Sequence, residues 1–258
     1  MDMKVLRHFL KIIDYQTVII SILSLIATKI CIGFGFYAKL PLSLIGIAII
    51  FPIVFSINAA YKRREDALKY FASIKGHFWS IFFALRDWPS SADKGALFAN
   101  EHKKIAIDIV KTMKNYFQKP SNNELAKLYN MFSLLSKLHE KMRKEGVPAN
   151  EISRINQYLK SIIVDFERIR NILNHRTPIS LRAYSKIFLN IFPLLFAPYF
   201  AWISNESYLW TGYMVALLYS IVLVSLDNIQ EHLENPFDAI GTDDIDFDVS
   251  GELNFLMK

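Results

Sequence analysis

The chain is poor in cysteine and glycine, and over one long stretch it has no charge at all. Its 258 residues include a single cysteine, Cys31, so no intrachain disulfide forms and no Cys/His set exists to hold zinc. The nine glycines build no phosphate-cradling loop and no nucleophile elbow. No pair of carboxylates lies inside an apolar run, so the sequence carries no enzyme signature. His8, His77, His102, His139, His175 and His232 have no ligand spacing to one another and read as surface or helix-packing residues. Strand-like alternation is weak, and neither a repeat nor a low-complexity stretch is present. The first fifteen residues, MDMKVLRHFLKIIDY, lack a signal-peptide layout and a small-residue cleavage site.

Charge is scarce in an uneven way. Nine acidic residues and no Lys or Arg occur from 227 to 257, followed by Lys258. The first 226 residues therefore hold 29 basic and 15 acidic residues, so the net charge of +6 belongs to the body and the tail is an acidic strip. Basic flanks are expected beside membrane spans, so the charge points to no nucleic-acid partner. Hydrophobic residues make up 52% and charged ones 21%, with mean hydropathy +0.22; a few spans plus a water-exposed helical part fit these totals.

What is present is organised around residues 40–61, LPLSLIGIAIIFPIVFSINAAY, 22 residues without a charge and then KRRED. As a helix this length crosses a hydrocarbon core of about 30 Å. Ile47, Phe51 and Phe55 recur at i, i+4 and i+8 and share one helix face. Lipid contact or ordinary helix packing explains such a row; a hydrophobic pore constriction, one helix per subunit, is the sharper reading. Pro52 removes a backbone donor inside the row and predicts a bend near Ala48.

Further spans are expected at 15–38, 187–205 and 207–226. The expectation is an all-α membrane protein with four transmembrane helices in two hairpins. Its parts are an N-terminal lead-in and first hairpin (1–61), a cytosolic helical region (62–186), the second hairpin (187–226) and an acidic cytosolic tail (227–258). Lys4, Arg7, Lys11, Lys62, Arg63, Arg64, Arg176, Arg182 and Lys186 all flank one side, which puts both termini in the cytoplasm. In the middle region, 62–88 continues the second span. Helices are then expected near 100–118, from the capping-box pattern Ser121-x-x-Glu124 to about 144, and over 150–173. The last carries Ile152, Ile155, Leu159, Ile162, Ile163, Phe166 and Ile169 at helical spacing.

Three stretches together resemble the bestrophin family of ion channels, in its bacterial branch: PLSLIGIAIIFPIVFSINAAYKRRE, FERIRNILNHRTPISLRAYSKIF and HLENPFDAIGTDDIDFD. They are similar to that family's second membrane helix and its exit, to its Glu-Arg-Ile-Arg segment and Thr-Pro turn before the third span, and to its Asn-Pro-Phe motif with the acidic stretch that follows. Arg64-Glu65 stands where a tryptophan pair is usual, Ser180 where proline is common and Asp238 where glycine is common. A few extra residues also separate Arg170 from Thr177.

The resemblance implies a homopentamer around one central pore in a bacterial inner membrane, with Ile47, Phe51 and Phe55 at the neck and Ile179 near a lower cytosolic constriction. Family members mostly pass chloride and other anions, while a bacterial relative is a cation pathway, so Cl⁻ and Na⁺ both stand as permeant ions. A non-conducting membrane-anchored interaction module is the reading from another class.

Other residues are open to two readings. Lys29, inside the first span, either snorkels to the outer surface or attracts anions at the outer mouth. Asp243, Asp244, Asp246 and Asp248 are spaced like Ca²⁺ ligands, and animal bestrophins bind Ca²⁺ near the matching stretch; the bland reading is a solvated strip touching a basic neighbour subunit. No other cofactor is expected. Glu167, Arg168 and Arg170 either pair with one another or line a vestibule.

Overall fold

The computed structural model describes residues 12–175, 178–239 and 244–257, without the side chains of 42–45, 47–49, 181, 185 and 256. Nine helices occur among the described residues. They are α1 (Tyr15–Gly33), α2 (Leu42–Asp87), α3 (Ala92–Gln118), α4 (Asn122–Lys144), α5 (Ala149–Asn174), α6 (Ile179–Leu195), α7 (Ala197–Glu206), α8 (Leu209–Glu234) and α9 (Ser250–Leu256). No strand occurs among them, so the all-α expectation holds. The chain divides into two compact units. One is Met1–Lys62 with Arg176–Glu234; the other is Arg63–His175 with Asn235–Lys258. Helix α2 contributes to both.

The first unit is built the opposite way from a water-soluble bundle. On α1 the buried positions are Thr17, Ser21, Ser24 and Thr28, while Ile19, Ile22, Leu23, Ile26 and Ile30 are exposed. On α8 the buried row begins Gly212, Ala216, Ser220, and on α7 it is Ala197, Phe200, Ala201 and Ser204. Small residues let backbones approach where no hydrophobic force separates helix from surroundings, and large apolar side chains then face lipid. Gly212 is the closest approach: a Cβ there would lie 2.1 Å from the Phe200 carbonyl oxygen. Among the described residues three helical stretches are long and apolar enough to cross a membrane: Tyr15–Gly33, Arg182–Glu206 and Leu209–Glu234. The 40–61 stretch, expected as a further span, forms the first part of α2 and includes side chains outside the described ones.

The expected single span at 187–205 is two helices, α6 and α7, which meet at Phe196. Pro193 lies inside α6 and Pro198 opens α7, so the break has its cause in two missing backbone donors. The Pro193 carbonyl accepts from Ser24 Oγ on α1 at 3.0 Å, which is how a membrane helix tolerates such an interruption. A ring ladder bridges it: Phe188, Phe192, Phe196 and Phe200 follow at centroid spacings of 5.4, 5.5 and 6.3 Å. Helix α1 ends at Gly33, short of the expected 38, and α8 continues as helix past 226 to Glu234.

The second unit has an ordinary hydrophobic core. Helix α2 supplies Ala67, Phe71, Ile74, Phe78, Ile81 and Leu85, alternately four and three residues apart, a continuous apolar stripe. Helices α3, α4 and α5 close over it with Ile109, Met113, Phe117, Phe132, Leu135, Ile155, Ile162 and Phe166. The capping box opens α4 as expected, with Ser121 Oγ accepting from the Glu124 amide at 3.2 Å. Helix α3 begins eight residues earlier than the periodicity predicts, at Ala92. The tail is more than an acidic strip: Phe237, Ile245, Phe247, Leu253 and Met257 are all buried in this core.

Candidate functional site

Helix α2 runs uninterrupted through Pro52. Just beyond the proline its two faces differ. Ile53, Ser56 and Ala60, at i, i+3 and i+7, are buried, and Ile53 packs in a cluster with Leu189, Phe196, Phe200, Ala216 and Leu223. On the opposite face Phe51 and Phe55 are 62% and 57% exposed. Their rings meet edge to face at 5.1 Å and 70°, the arrangement the ring quadrupole favours. Ile50 and Val54 are exposed beside them. One face of the helix is thus fixed to the bundle and the other presents aromatic rings that the chain itself leaves uncovered. The side chain of Ile47, the third member of the expected row, lies outside the described ones.

Helix α6 begins just after Pro178, whose carbonyl accepts from the Arg182 amide at 3.2 Å. Ile179 is its first residue and is 76% exposed. Lys29 is exposed four residues before the end of α1.

Of the acidic candidates, Asp243 lies outside the described residues and Asp244 is half-buried. Asp246 and Asp248 sit at 3.0 and 3.6 Å from Lys114 Nζ of the same chain. The two carboxylates therefore face a lysine of their own chain, where the sequence reading puts a neighbour subunit's basic residues. Hydrogen bonding from the Asp248 amide and then the Lys114 ammonium holds the Asp246 carboxyl below its ordinary value. Among the described residues no group of three or more His, Cys, Asp or Glu side chains is placed to hold a metal ion.

Glu167 pairs with Arg170 at 3.0 Å, and Arg168 pairs instead with Asp165 at 3.0 Å, its guanidinium 5.2 Å from the Tyr70 ring. Tyr129 donates to Glu167 at 2.5 Å; burial and that bond push its hydroxyl up to about 12.

Two features were not read from the sequence. A polar cluster joins α1, α6 and α8: Gln16 donates to Asn190 at 3.3 Å, Asn190 to Asp227 at 3.0 Å, and Asn228 to the Ile12 carbonyl at 2.7 Å. Its signal was an Asn inside one apolar run and an Asp-Asn pair ending another. The second is Arg63, which follows the first part of α2 and donates to the Ile172 and His175 carbonyls at 2.5 Å each. These are carbonyls at the end of α5, where a cation is favourable.

No protein-family model and no curated protein matches the chain. Solved structures do match. A bacterial bestrophin homolog from Klebsiella pneumoniae aligns with a TM-score of 0.75 and 17% identity over 94% of this chain and 95% of that one. Two mutant forms of a bacterial bestrophin homolog from the same organism align at 0.74 and 0.73, each at 17% identity. The first covers 94% of this chain and 95% of the other; the second covers 97% and 96%.

The chain has the bestrophin fold. The resemblance read from three sequence stretches is therefore borne out in the architecture, although 17% identity is too low to carry residue roles across.

Proposed function

We propose that the chain is the subunit of a bestrophin-like ion channel, a homopentamer whose α2 helices surround the pore. Ile47, Phe51 and Phe55 form the neck, and Ile179 a second constriction at the cytosolic end. The observation that carries this reading is the two-faced α2: anchored through Ile53 and exposing Phe51 and Phe55, on a fold shared with bestrophin homologs. Rings of apolar side chains bind no ion tightly and control flow through wetting. Phenylalanine edges carry the positive part of the ring quadrupole, which favours chloride and other small anions over Na⁺. The protein sits in the bacterial inner membrane as a multi-pass protein with both termini cytoplasmic, and the 62–186 region forms a helical vestibule. It has no enzymatic role.

Reconstitution of the purified protein into planar bilayers under a KCl or NaCl gradient tests this. Currents are expected with a reversal potential near that of Cl⁻, and larger currents from the Phe51→Ala, Phe55→Ala double variant. A reversal potential at the cation value would replace the anion reading with the Na⁺ one. An absence of current from vesicles shown to contain inserted protein would leave the anchored interaction module. Mass measurement in detergent reports the subunit number separately.

A further inference from the structure

Within the second unit, α2 and α5 enclose a groove of about 780 Å³. On α2, Lys69, Ser73 and His77 follow at i, i+4 and i+8 and share one helix face. On α5, Gln157, Lys160 and Arg168 do the same at i, i+3 and i+11. The one carboxylate in the lining, Asp165, is already answered: it is 5% exposed and accepts from Arg168 at 3.0 Å. That guanidinium also lies 5.2 Å from the ring of Tyr70, so it is engaged twice by its own chain. Lys69 and Lys160 are different. They stand one on each wall, are exposed, and pair with no carboxylate among the described residues. The Ser73 hydroxyl likewise has no partner among them. The groove therefore holds two positive charges that the chain leaves unneutralised, beside a hydroxyl free to donate.

These features narrow the occupant. Two ammonium groups repel a metal cation. A singly charged anion answers one lysine and leaves the other unmatched. A phosphate monoester carries a charge of about −1.5 to −2 at pH 7 and three acceptor oxygens, which match two ammonium groups and a hydroxyl. Small-molecule sites run from about 300 to 1,000 Å³, so a free phosphate would leave most of this groove to water. The ring of His77, stacked on Tyr158 at 5.8 Å and 26°, is held in place by its neighbour and offers a flat surface to an aromatic or apolar body.

We infer that this groove binds a phosphorylated small molecule, a phosphate monoester with a ring or apolar body. The phosphate oxygens accept from Lys69, Lys160 and Ser73, and the body lies toward His77. The Asp165–Arg168 pair fixes the wall without taking up the charge. The site does not depend on the channel reading, because binding is measured without flux.

Isothermal titration calorimetry of the full-length protein in detergent tests the assignment with four probes: phenyl phosphate, inorganic phosphate, phenol and the dicarboxylate terephthalate. Phenyl phosphate is expected to bind about tenfold more tightly than each of the other three. Lys69→Gln and Lys160→Gln should each weaken it about tenfold, with helix content by circular dichroism unchanged. Lys104→Gln, on α3 and outside the groove, should leave it as it is. No binding of phenyl phosphate, or equal affinity for the natural chain and the two groove variants, would overturn the site. Terephthalate binding as tightly as phenyl phosphate would overturn the phosphate assignment. Inorganic phosphate binding as tightly would overturn the organic body, and phenol binding as tightly would overturn the role of the lysines.

Discussion

Arg63 holds the end of α5 through the His175 carbonyl, at 2.5 Å, with a second donor on Ile172. Two charge-assisted bonds from one planar fork suit arginine and not lysine, whose single ammonium offers a point charge. Hydrogen bonds to a charged group are worth about 1.5–3 kcal/mol each when fully buried, and this site is partly open to solvent. Arg63→Ala should therefore lower the stability of the Arg63–His175 helices by about 2 kcal/mol, with Arg63→Lys intermediate. Chemical denaturation in detergent, followed by circular dichroism, measures it; equal midpoints for the three proteins would show that the bonds contribute nothing.

Acid should weaken the same unit through two imidazoles. His102 is fully buried, with Nε2 3.0 Å from the Phe78 carbonyl and Nδ1 unpartnered. His139 is also buried, with Nδ1 2.8 Å from Asn156 Oδ1 and Nε2 unpartnered. Burial pushes His102 down to about 3 and lowers His139 as well; the carbonyl and the amide oppose this only in part. The folded state keeps both rings neutral where the unfolded chain takes up protons. Stability is thus fully present above the unfolded value of about 6.5 and lost as pH falls below it, down to about 3 for His102, at up to about 1.4 kcal/mol per pH unit for each ring while it titrates only in the unfolded chain. His102→Gln keeps a donor for the Phe78 carbonyl and removes one titration. Its stability curve between pH 6.5 and 4 should be visibly flatter than that of the natural chain; parallel curves would rule the ring out as the cause.

Much of the second unit was legible in sequence because its helices obey the rule for water-soluble bundles. The Ile152 to Ile169 face of α5, the Ser121 cap and the run of α2 to Asp87 all follow from periodicity and capping. The first unit was less legible, since lipid inverts that rule. Thr17, Ser21, Ser24 and Thr28 face inward, and a pattern search for apolar core positions passes over them. The break at Phe196 had a local signal in Pro193 and Pro198, but the partner of the Pro193 carbonyl, Ser24, lies 169 residues away, where no local pattern announces it. The row of Phe51 and Phe55 was visible as spacing, but which neighbours anchor the other face of α2 emerges only from packing. In the tail, Ile245-Asp246-Phe247-Asp248 alternates apolar and acidic residues, a signal obscured by the count of charges.

Glycine substitutions separate close approach from open surface. A Cβ on Gly95 would lie 2.3 Å from the Arg86 carbonyl oxygen, where α3 begins against the end of α2, and only backbone could yield. One on Gly76, inside α2, would meet nothing within 4 Å. Gly76→Ala should stabilise by about 0.5–1 kcal/mol through helix propensity. Gly95→Ala should destabilise by about 1–3 kcal/mol through overpacking. Thermal denaturation of the two variants beside the natural chain reads opposite shifts. A stabilised Gly95→Ala variant would mean that α3 starts farther from Arg86 than described.

The tail is held by rings more than by charges. Phe247 is buried among Phe71, Phe117 and Phe237, with ring centroids at 4.8, 4.9 and 5.7 Å, and its exposed neighbour Asp246 reaches half-buried Lys114. Truncating a buried phenylalanine costs about 3–5 kcal/mol, against at most about 1 kcal/mol for an exposed ion pair in water. Phe247→Ala should therefore release the tail, seen as rapid amide exchange and proteolysis between 244 and 257, at any ionic strength. Asp246→Asn should leave the tail protected, because its apolar partners remain. If high salt alone released the tail of the natural chain, or Asp246→Asn did so, the acidic residues and not the aromatic stack would be what fastens it.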